Sequence, residues 1–450
     1  MAVKREDIIN HSDADVATYE GFPPWLKERL EEFMDWRLGF MMHWAPYSQW
    51  DCMESWSICP EIWDWNRTDK MTSWTSRNKD LKKFTEDYFA LNKTFNPVKF
   101  DPDAWAELAE WCGFKYVNFT TKHHDGFCMW DTKTTDYKIT DPSCPFSTHP
   151  KANIVPEVWS AFRKRGFAVE CYFSKSDWHC PWYWLKDRPV EDRNPNYEPS
   201  EHPDIWDKFK AFVHAQVDEL MSLGHKIDVL WLDGGQVRPP QQDIDMDAIV
   251  AKARVKHPGM MVADRTVGGV NENIITPEQE IPDRPMGVPW ESCLTLSAGW
   301  KYIPQEEYKS AQKVVTMIVE TISKGGNFLL NVAPHPDGTI PEGAVARLKE
   351  IGAWIRVNGE AIYKTRELAP YAEGPVRYTC KGAKTYAFIL PDATGKFPST
   401  VTLSHCPKAG SAISLLGGGT VPYTIKDGAC IVTLPATDSK APCLAYDREG

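Results

Sequence analysis

Ile227–Gly235 reads IDVLWLDGG, a short apolar run that ends in a carboxylate and two glycines. Its length and apolar content predict a buried strand, and the paired glycines predict the turn that stops it. Side chains alternate between the two faces of a strand, so Val229, Trp231 and Asp233 share one side while Leu230 and Leu232 take the other. Asp233 and Trp231 are therefore expected to face one cavity. A strand-end aspartate also commonly caps the turn that follows it, and on these residues alone both roles stand.

Outward from this stretch, comparable runs recur behind helical patterns: LGFMMHW from Leu38, KYVNFTT near 115–121, GFAVECYF near 166–173, MMVADR near 260–265 and NFLLNVAP near 327–334. Ahead of the first, Pro24–Trp36 spaces Leu26, Leu30 and Phe33 as the apolar stripe of an amphipathic helix. Buried strands alternating with helices over about 300 residues predict a parallel barrel or a doubly wound sheet. His43, His123, Asp233, Arg265 and Asn331 fall at the C-terminal ends of these runs, where a (β/α)8 barrel builds its active site. The expected fold is α/β, with a (β/α)8-like barrel. Eight clean strands are not countable, so a distorted barrel stays open.

Pro341–Val357 predicts one more helix, stopped at Asn358-Gly359. Beyond it the pattern changes to short β-type runs, VRYTC, TYAFIL, TVTL, AISLL, CIVTL and CLAY, divided by Gly, Pro, Asp and Lys clusters. That spacing predicts an antiparallel β-sandwich. Two domains are expected, a barrel over 1–358 and a sandwich over 359–450, because 450 residues exceed what one core usually serves.

A net charge of -11 disfavours phosphate backbones and anionic lipid, which leaves a neutral small molecule or oligosaccharide as the expected partner rather than nucleic acid or membrane. No run of eighteen apolar residues occurs, and MAVKREDIINHSDADVATYEG lacks the apolar core of a signal peptide. A soluble cytoplasmic or periplasmic protein is expected, and no motif fixes its oligomeric state. The 12 cysteines are scattered without C-x-x-C pairs, so they read as mostly buried thiols. The 20 tryptophans suit stacking against sugar rings and equally suit an aromatic core.

Thr120–Phe127, TTKHHDGF, concentrates hydrogen-bonding groups after an apolar strand. Buried sugar hydroxyls need all their donors and acceptors matched, which such a segment can do. A metal site is disfavoured because no H-x-H or H-E-x-x-H spacing is present, and no metal or cofactor is expected. Glycoside hydrolysis needs a second carboxyl group besides Asp233. Glu278 and Glu280 in ITPEQEIP and Glu291 in VPWESC are candidates, each also readable as a plain surface carboxylate. Trp290 and Trp300 could wall a pocket or fill a core.

Taken together, residues 36–365 resemble the family-29 glycoside hydrolases, the α-L-fucosidases. The resemblance is carried by WRLGFMMHWAPYS, KYVNFTTKHHDGFCMWDTKTTDYKI, DVLWLDGG, VADR, TPEQEIP, PWESCLTLSAGWKY and GGNFLLNVAPHPDGTIPEG, in this order. It implies a barrel lacking some helices, a C-terminal β-sandwich, no metal requirement, and retention through a two-step displacement. Carried over by position, Asp233 matches the nucleophile and Trp231 lies beside it. His43 of the His43-Trp44 pair, His123 and His124 read the ring hydroxyls. Arg265 matches the arginine after the next strand, and Trp300 the aromatic against the C5 methyl. Glu278 is first for the acid/base role and Glu291 second.

The sequence departs from that pattern after the His-Trp pair, where Ala45 replaces a glycine and PYSQWDCMESWSICPEIWDW replaces a shorter loop. Glu54 and Trp56 stand in for the family's Glu-Trp pair, and the changed loop would suit a related α-L-hexose such as L-galactose or L-glucose as well as L-fucose. A sugar-binding protein without catalysis, and a metal-dependent hydrolase on the same barrel, are the readings of other classes.

Overall fold

The computed structural model describes residues 17–62 and 80–448. Seven parallel strands, β1 (Leu38–Met42), β2 (Tyr116–Thr120), β3 (Ala168–Ser174), β4 (Val229–Asp233), β5 (Met261–Asp264), β6 (Glu291–Thr295) and β7 (Asn327–Asn331), form one curled sheet in the order β5-β4-β3-β2-β1-β7-β6. Six of them are the runs legible in the sequence; β6 is not among those runs, because its residues ESCLT include three polar ones and form no apolar stretch. Almost every strand residue is buried, because helices cover the outer face and the lumen fills the inner one.

The two sheet edges, β5 and β6, are bridged by residues 272–279, which stand where an eighth strand would close the barrel. Asn273 N–H donates to the Val262 carbonyl at 2.8 Å on the β5 side. On the β6 side Glu291 N–H donates to Ile275 O at 2.9 Å, Cys293 N–H to Pro277 O at 3.1 Å, and Gln279 N–H to Cys293 O at 3.0 Å. Pro277 has no N–H, and Gln279 sits at φ 56, so this segment cannot run as a regular strand. Its irregularity explains why the eighth strand is invisible to pattern reading.

Behind the short α1 (Ala17–Glu20) and α2 (Pro24–Trp36), helices α3 (Leu81–Phe89), α4 (Pro102–Trp111), α5 (Ile154–Lys164), α6 (Pro203–Leu220), α7 (Met246–Lys256), α8 (Ala311–Ser323) and α9 (Glu342–Asn358) connect or follow the strands. No α-helix lies between β5 and β6. Helix α2 (Pro24–Trp36) places Leu26, Leu30 and Phe33 in the same cluster as the lumen residues Met41, Tyr116, Tyr172, Trp231, Cys293 and Leu329. The amphipathic stripe read from the sequence thus plugs the barrel at the N-terminal ends of its strands, leaving the C-terminal ends open.

Beyond α9, nine antiparallel strands form a six-stranded and a three-stranded sheet. They share a core that includes Val376, Tyr378, Ile389, Val401, Leu403 and Val432. Tyr386 and Phe388, from the other face of the larger sheet, join the barrel's outer core, where Trp354 Nε1–H donates to Ala441 O at 2.9 Å. The sandwich is therefore seated on α8 and α9, with Arg377 and Glu320 ion-paired at 2.8 Å across the contact. All twelve cysteines are free thiols, ten of them buried. Among the described residues, no helix is long and apolar enough to cross a membrane.

Candidate active site

Asp233 is the last residue of β4, and the glycines behind it are there for geometry. Gly234 has φ 84, a region L side chains rarely adopt, and a Cβ on Gly235 would stand 1.8 Å from Thr266 Oγ1. Asp233 Oδ1 accepts from Gly234 N–H at 2.8 Å and from an Arg265 terminal nitrogen at 3.1 Å. Oδ2 accepts from the Tyr172 hydroxyl at 2.6 Å, and His124 Nε2 lies 3.5 Å from it. Burial pushes this carboxyl up, but the Arg265 cation, His124 and Tyr172 together outweigh it and hold it well below the ordinary carboxylate range. The strand-end aspartate is an ionised, oriented carboxylate rather than a simple turn cap.

Arg265 follows β5 and also spans to the closing segment. Its other terminal nitrogen donates to Glu278 Oε2 at 2.8 Å, and its Nε donates to Thr276 Oγ1 at 2.9 Å. Glu278 stands at the rim, with its side chain 36% exposed. One guanidinium thus holds two carboxylates that come from the two elements flanking β5, strand β4 and the closing segment.

Three histidines line the same mouth. His43 Nδ1 is 2.9 Å from Asn331 Oδ1, whose amide nitrogen donates to Trp300 O at 2.6 Å. An amide oxygen only accepts, so Nδ1 carries the proton and Nε2 keeps its lone pair. Burial lowers His43 to about 4, which keeps it neutral at physiological pH. His123 Nδ1 pairs with the Ser55 hydroxyl, and burial, together with the neighbouring His124 and His43, holds its pKa well below the ordinary value. His124 Nδ1 is 2.7 Å from Ser176 Oγ.

Around this polar floor stand aromatic walls. Trp300 lies 5.0 Å from His43 between ring centroids. Trp56 meets His124 edge-on at 5.0 Å and Trp178 at 5.1 Å, with the Arg193 guanidinium 4.8 Å over it. Glu54 is buried and accepts from Lys301 N–H at 3.2 Å; burial raises it to about 7, with the Lys301 cation opposing. Of the unusual 45–65 segment, residues 63–65 lie outside the described residues.

Three residues read as site candidates are not brought here: Trp44, Glu291 and Trp290, which fills a separate cluster with Ile275, Met286 and Val288. Trp44 is fully buried on the outer side of β1, among Phe95, Phe100 and Trp105, and its Nε1–H donates to His335 O at 3.0 Å. Adjacent residues diverge, so His43 enters the mouth and its neighbour enters the core. Glu291 is the first residue of β6, near the plugged end; it is fully buried, and both its oxygens are engaged by Trp231 and Tyr116. Sequence reading in turn missed Tyr172, Ser55 and Ser176. Tyr172 carried a usable signal, since it lies two residues before the end of β3 as Trp231 does in β4.

His123, His124 and Asp233 each offer a ligand atom within 4.8 Å of the others, so they are the residues among those described that could hold a metal ion. Both Asp233 oxygens, however, already receive donors, one of them a guanidinium. What the arrangement suits is a nucleophilic carboxylate, a second carboxyl group beside it, and neutral polar groups for hydroxyls.

Residues 12–360 match the family model for α-L-fucosidase. The chain belongs to the α-L-fucosidase family. The resemblance carried by KHHDGF and DVLWLDGG is thereby borne out, and the chain is a glycoside hydrolase. Tissue α-L-fucosidase of Bos taurus is 28% identical over 387 residues, covering 82% of this chain and 75% of its own length. Plasma α-L-fucosidase of Homo sapiens is 26% identical, covering 94% of this chain and 90% of its own. Among solved structures, α-L-fucosidase isoenzyme 1 from Paenibacillus thiaminolyticus superposes with a TM-score of 0.76 at 28% identity, covering 95% of this chain and 100% of its own. A Thermotoga maritima α-fucosidase in complex with fucose gives 0.71 at 27% identity, covering 94% of this chain and 98% of its own. The likeness to these α-L-fucosidases spans the barrel and the sandwich alike.

Proposed function

We propose that this chain is a retaining, exo-acting α-L-fucosidase in which Asp233 is the nucleophile and Glu278 the acid/base. The observation that carries the reading is the Arg265 guanidinium bonded to both carboxylates. A two-carboxylate displacement needs both groups at one site, which their shared guanidinium supports.

In the first step Asp233 attacks the anomeric carbon while Glu278 transfers its proton to the departing glycosidic oxygen, giving a covalent glycosyl-enzyme and a free aglycone. In the second, ionised Glu278 takes a proton from water as that water attacks the same carbon from the opposite face. The sugar leaves with its original configuration, and Asp233 is regenerated as a carboxylate. The donors on Asp233 favour the anion, so they orient the nucleophile and also help it leave. Neutral His43 and His123, together with His124, pair ring hydroxyls, Glu54 accepts from others, and Trp231 and Trp56 wall the ring. Trp300 faces the C5 methyl, which needs an apolar surface and no polar partner. Residues 1–358 form the catalytic unit and 359–450 the sandwich; an oligosaccharide with a terminal α-L-fucose is the expected substrate.

Hydrolysis of p-nitrophenyl α-L-fucoside, α-L-galactoside, α-L-glucoside and β-D-galactoside by wild type, Asp233→Asn and Glu278→Ala tests this. The expected result is fucoside hydrolysis that Asp233→Asn abolishes, and a Glu278→Ala defect that azide partly restores. Preference for another α-L-hexoside would correct the substrate and keep the mechanism. Activity undiminished in Asp233→Asn would overturn the nucleophile.

A further inference from the structure

Glu291 stands outside the mouth, yet it ends a chain of contacts that reaches Asp233. Two of the Asp233 donors rest on one indole. The Tyr172 ring stacks on Trp231 at 5.1 Å with an interplanar angle of 23°, and the Arg265 guanidinium carbon lies 4.5 Å from the Trp231 ring. An indole has a single polar handle, its N–H. In Trp231 that N–H donates to Glu291 Oε1 at 2.6 Å. The other Glu291 oxygen accepts from the Tyr116 hydroxyl at 2.9 Å, on β2 across the lumen.

We propose that Glu291 is a positioning residue: its carboxylate fixes the Trp231 indole, and through it the Tyr172 hydroxyl and the Arg265 guanidinium that orient Asp233. The inference rests on Asp233 as nucleophile. Two donors, one on each oxygen, match an acceptor-only carboxylate, so the group has a defined orientation that a hydrophobic replacement could not supply. A charge-assisted hydrogen bond to a buried acceptor also resists the sliding of a flat ring, which stacking alone permits.

The ionisable surroundings agree with this role. Around Glu291 stand Tyr116, the lumen acid Glu170 and, farther off, Arg265. Burial raises both carboxyls, and Glu170, which has the Glu291 charge against it and only the Asn118 amide donating to it at 3.0 Å, is held the higher of the two. Around Asp233 stand Arg265, Tyr172 and His124, with His123, His43 and Glu278 beyond. Displacing the indole would move the first two, so the pH at which Asp233 gains its proton reports on Glu291 at a distance.

The test compares wild type, Glu291→Leu, Glu291→Gln and Trp231→Phe in pH profiles of kcat/KM on p-nitrophenyl α-L-fucoside, with folding checked by near-UV circular dichroism. Glu291→Leu is expected to lose at least about tenfold in kcat/KM and to shift the acidic limb upward, because Asp233 loses donors that favour its anion. Glu291→Gln keeps an acceptor for the indole and should stay within about threefold of wild type. Trp231→Phe deletes the N–H from the other end of the bond and should move the limb the same way, which covers the case in which Glu291→Leu does not fold. Azide should rescue none of them. An unmoved acidic limb in both the folded Glu291→Leu protein and Trp231→Phe would overturn the proposal. So would azide rescue of Glu291→Leu, which would mark Glu291 as the acid/base. Asp233→Asn assayed in parallel separates these outcomes from a failure of the nucleophile assignment itself, since activity retained there condemns that assignment whatever Glu291 does.

Discussion

The Tyr172 hydroxyl, near the end of β3, donates to Asp233 Oδ2 on the neighbouring strand β4 at 2.6 Å. This bond favours the Asp233 anion, so Tyr172→Phe should raise the carboxyl's pKa. The acidic limb of kcat/KM is expected to move to higher pH. At neutral pH kcat/KM should fall roughly 10- to 100-fold, the range for losing one hydrogen bond to a charged group. An unchanged limb would show that Tyr172 does not bear on the ionisation of Asp233.

Glu54 offers a test of stability against pH. Burial raises its folded pKa to about 7, against roughly 4.3 in an unfolded chain. Between these values the folded protein holds the extra proton, so the group's contribution is full below the unfolded pKa and is lost as pH rises through the folded one. Glu54→Gln keeps an acceptor for Lys301 N–H but cannot ionise. Its stability relative to wild type should increase from pH 5 to pH 8 by roughly 1–3 kcal/mol, read from urea midpoints. A difference that stays flat with pH would refute this. The same variant should raise KM if Glu54 accepts from a sugar hydroxyl.

Arg37, between α2 and β1, is fully buried and donates to the carbonyls of Gly325 at 2.6 Å and Gly326 at 3.0 Å, and to that of Thr365. It ties the barrel's plugged end to the exit of α8 and the approach to the sandwich. Arg37→Met leaves the buried Gly325 and Gly326 carbonyls without this donor, while Thr365 O keeps the Arg366 guanidinium at 2.9 Å, and should destabilise the fold by roughly 2–5 kcal/mol. Thermal unfolding measures this, and a loss under 1 kcal/mol would mean that water replaces the guanidinium.

Chelation tests the metal reading of His123, His124 and Asp233. Because Arg265 and Tyr172 already occupy the Asp233 oxygens, fucoside hydrolysis should survive dialysis against EDTA, and added zinc should inhibit rather than activate. Activity lost to EDTA and restored by a divalent cation would reverse this assignment.

By itself the sequence determined six of the seven barrel strands, the end of those strands that carries reactive groups, and the family. These features are local: a buried parallel strand is written in consecutive apolar residues, and a motif such as TTKHHDGF or DVLWLDGG is contiguous. Tertiary structure decided what depends on pairing between distant segments. Strand register placed Tyr172 against Trp231. Closure of the sheet by residues 272–279, broken by Pro277, put Glu278 at the mouth. The start of β6 put Glu291 in the lumen, only thirteen residues farther along the chain. Both glutamates lie in Pro-rich stretches with no periodicity, so nothing local distinguishes them. Only the hydrogen bonds that the folded barrel makes to each decide which one stands beside Asp233 and which one holds the ring beneath it.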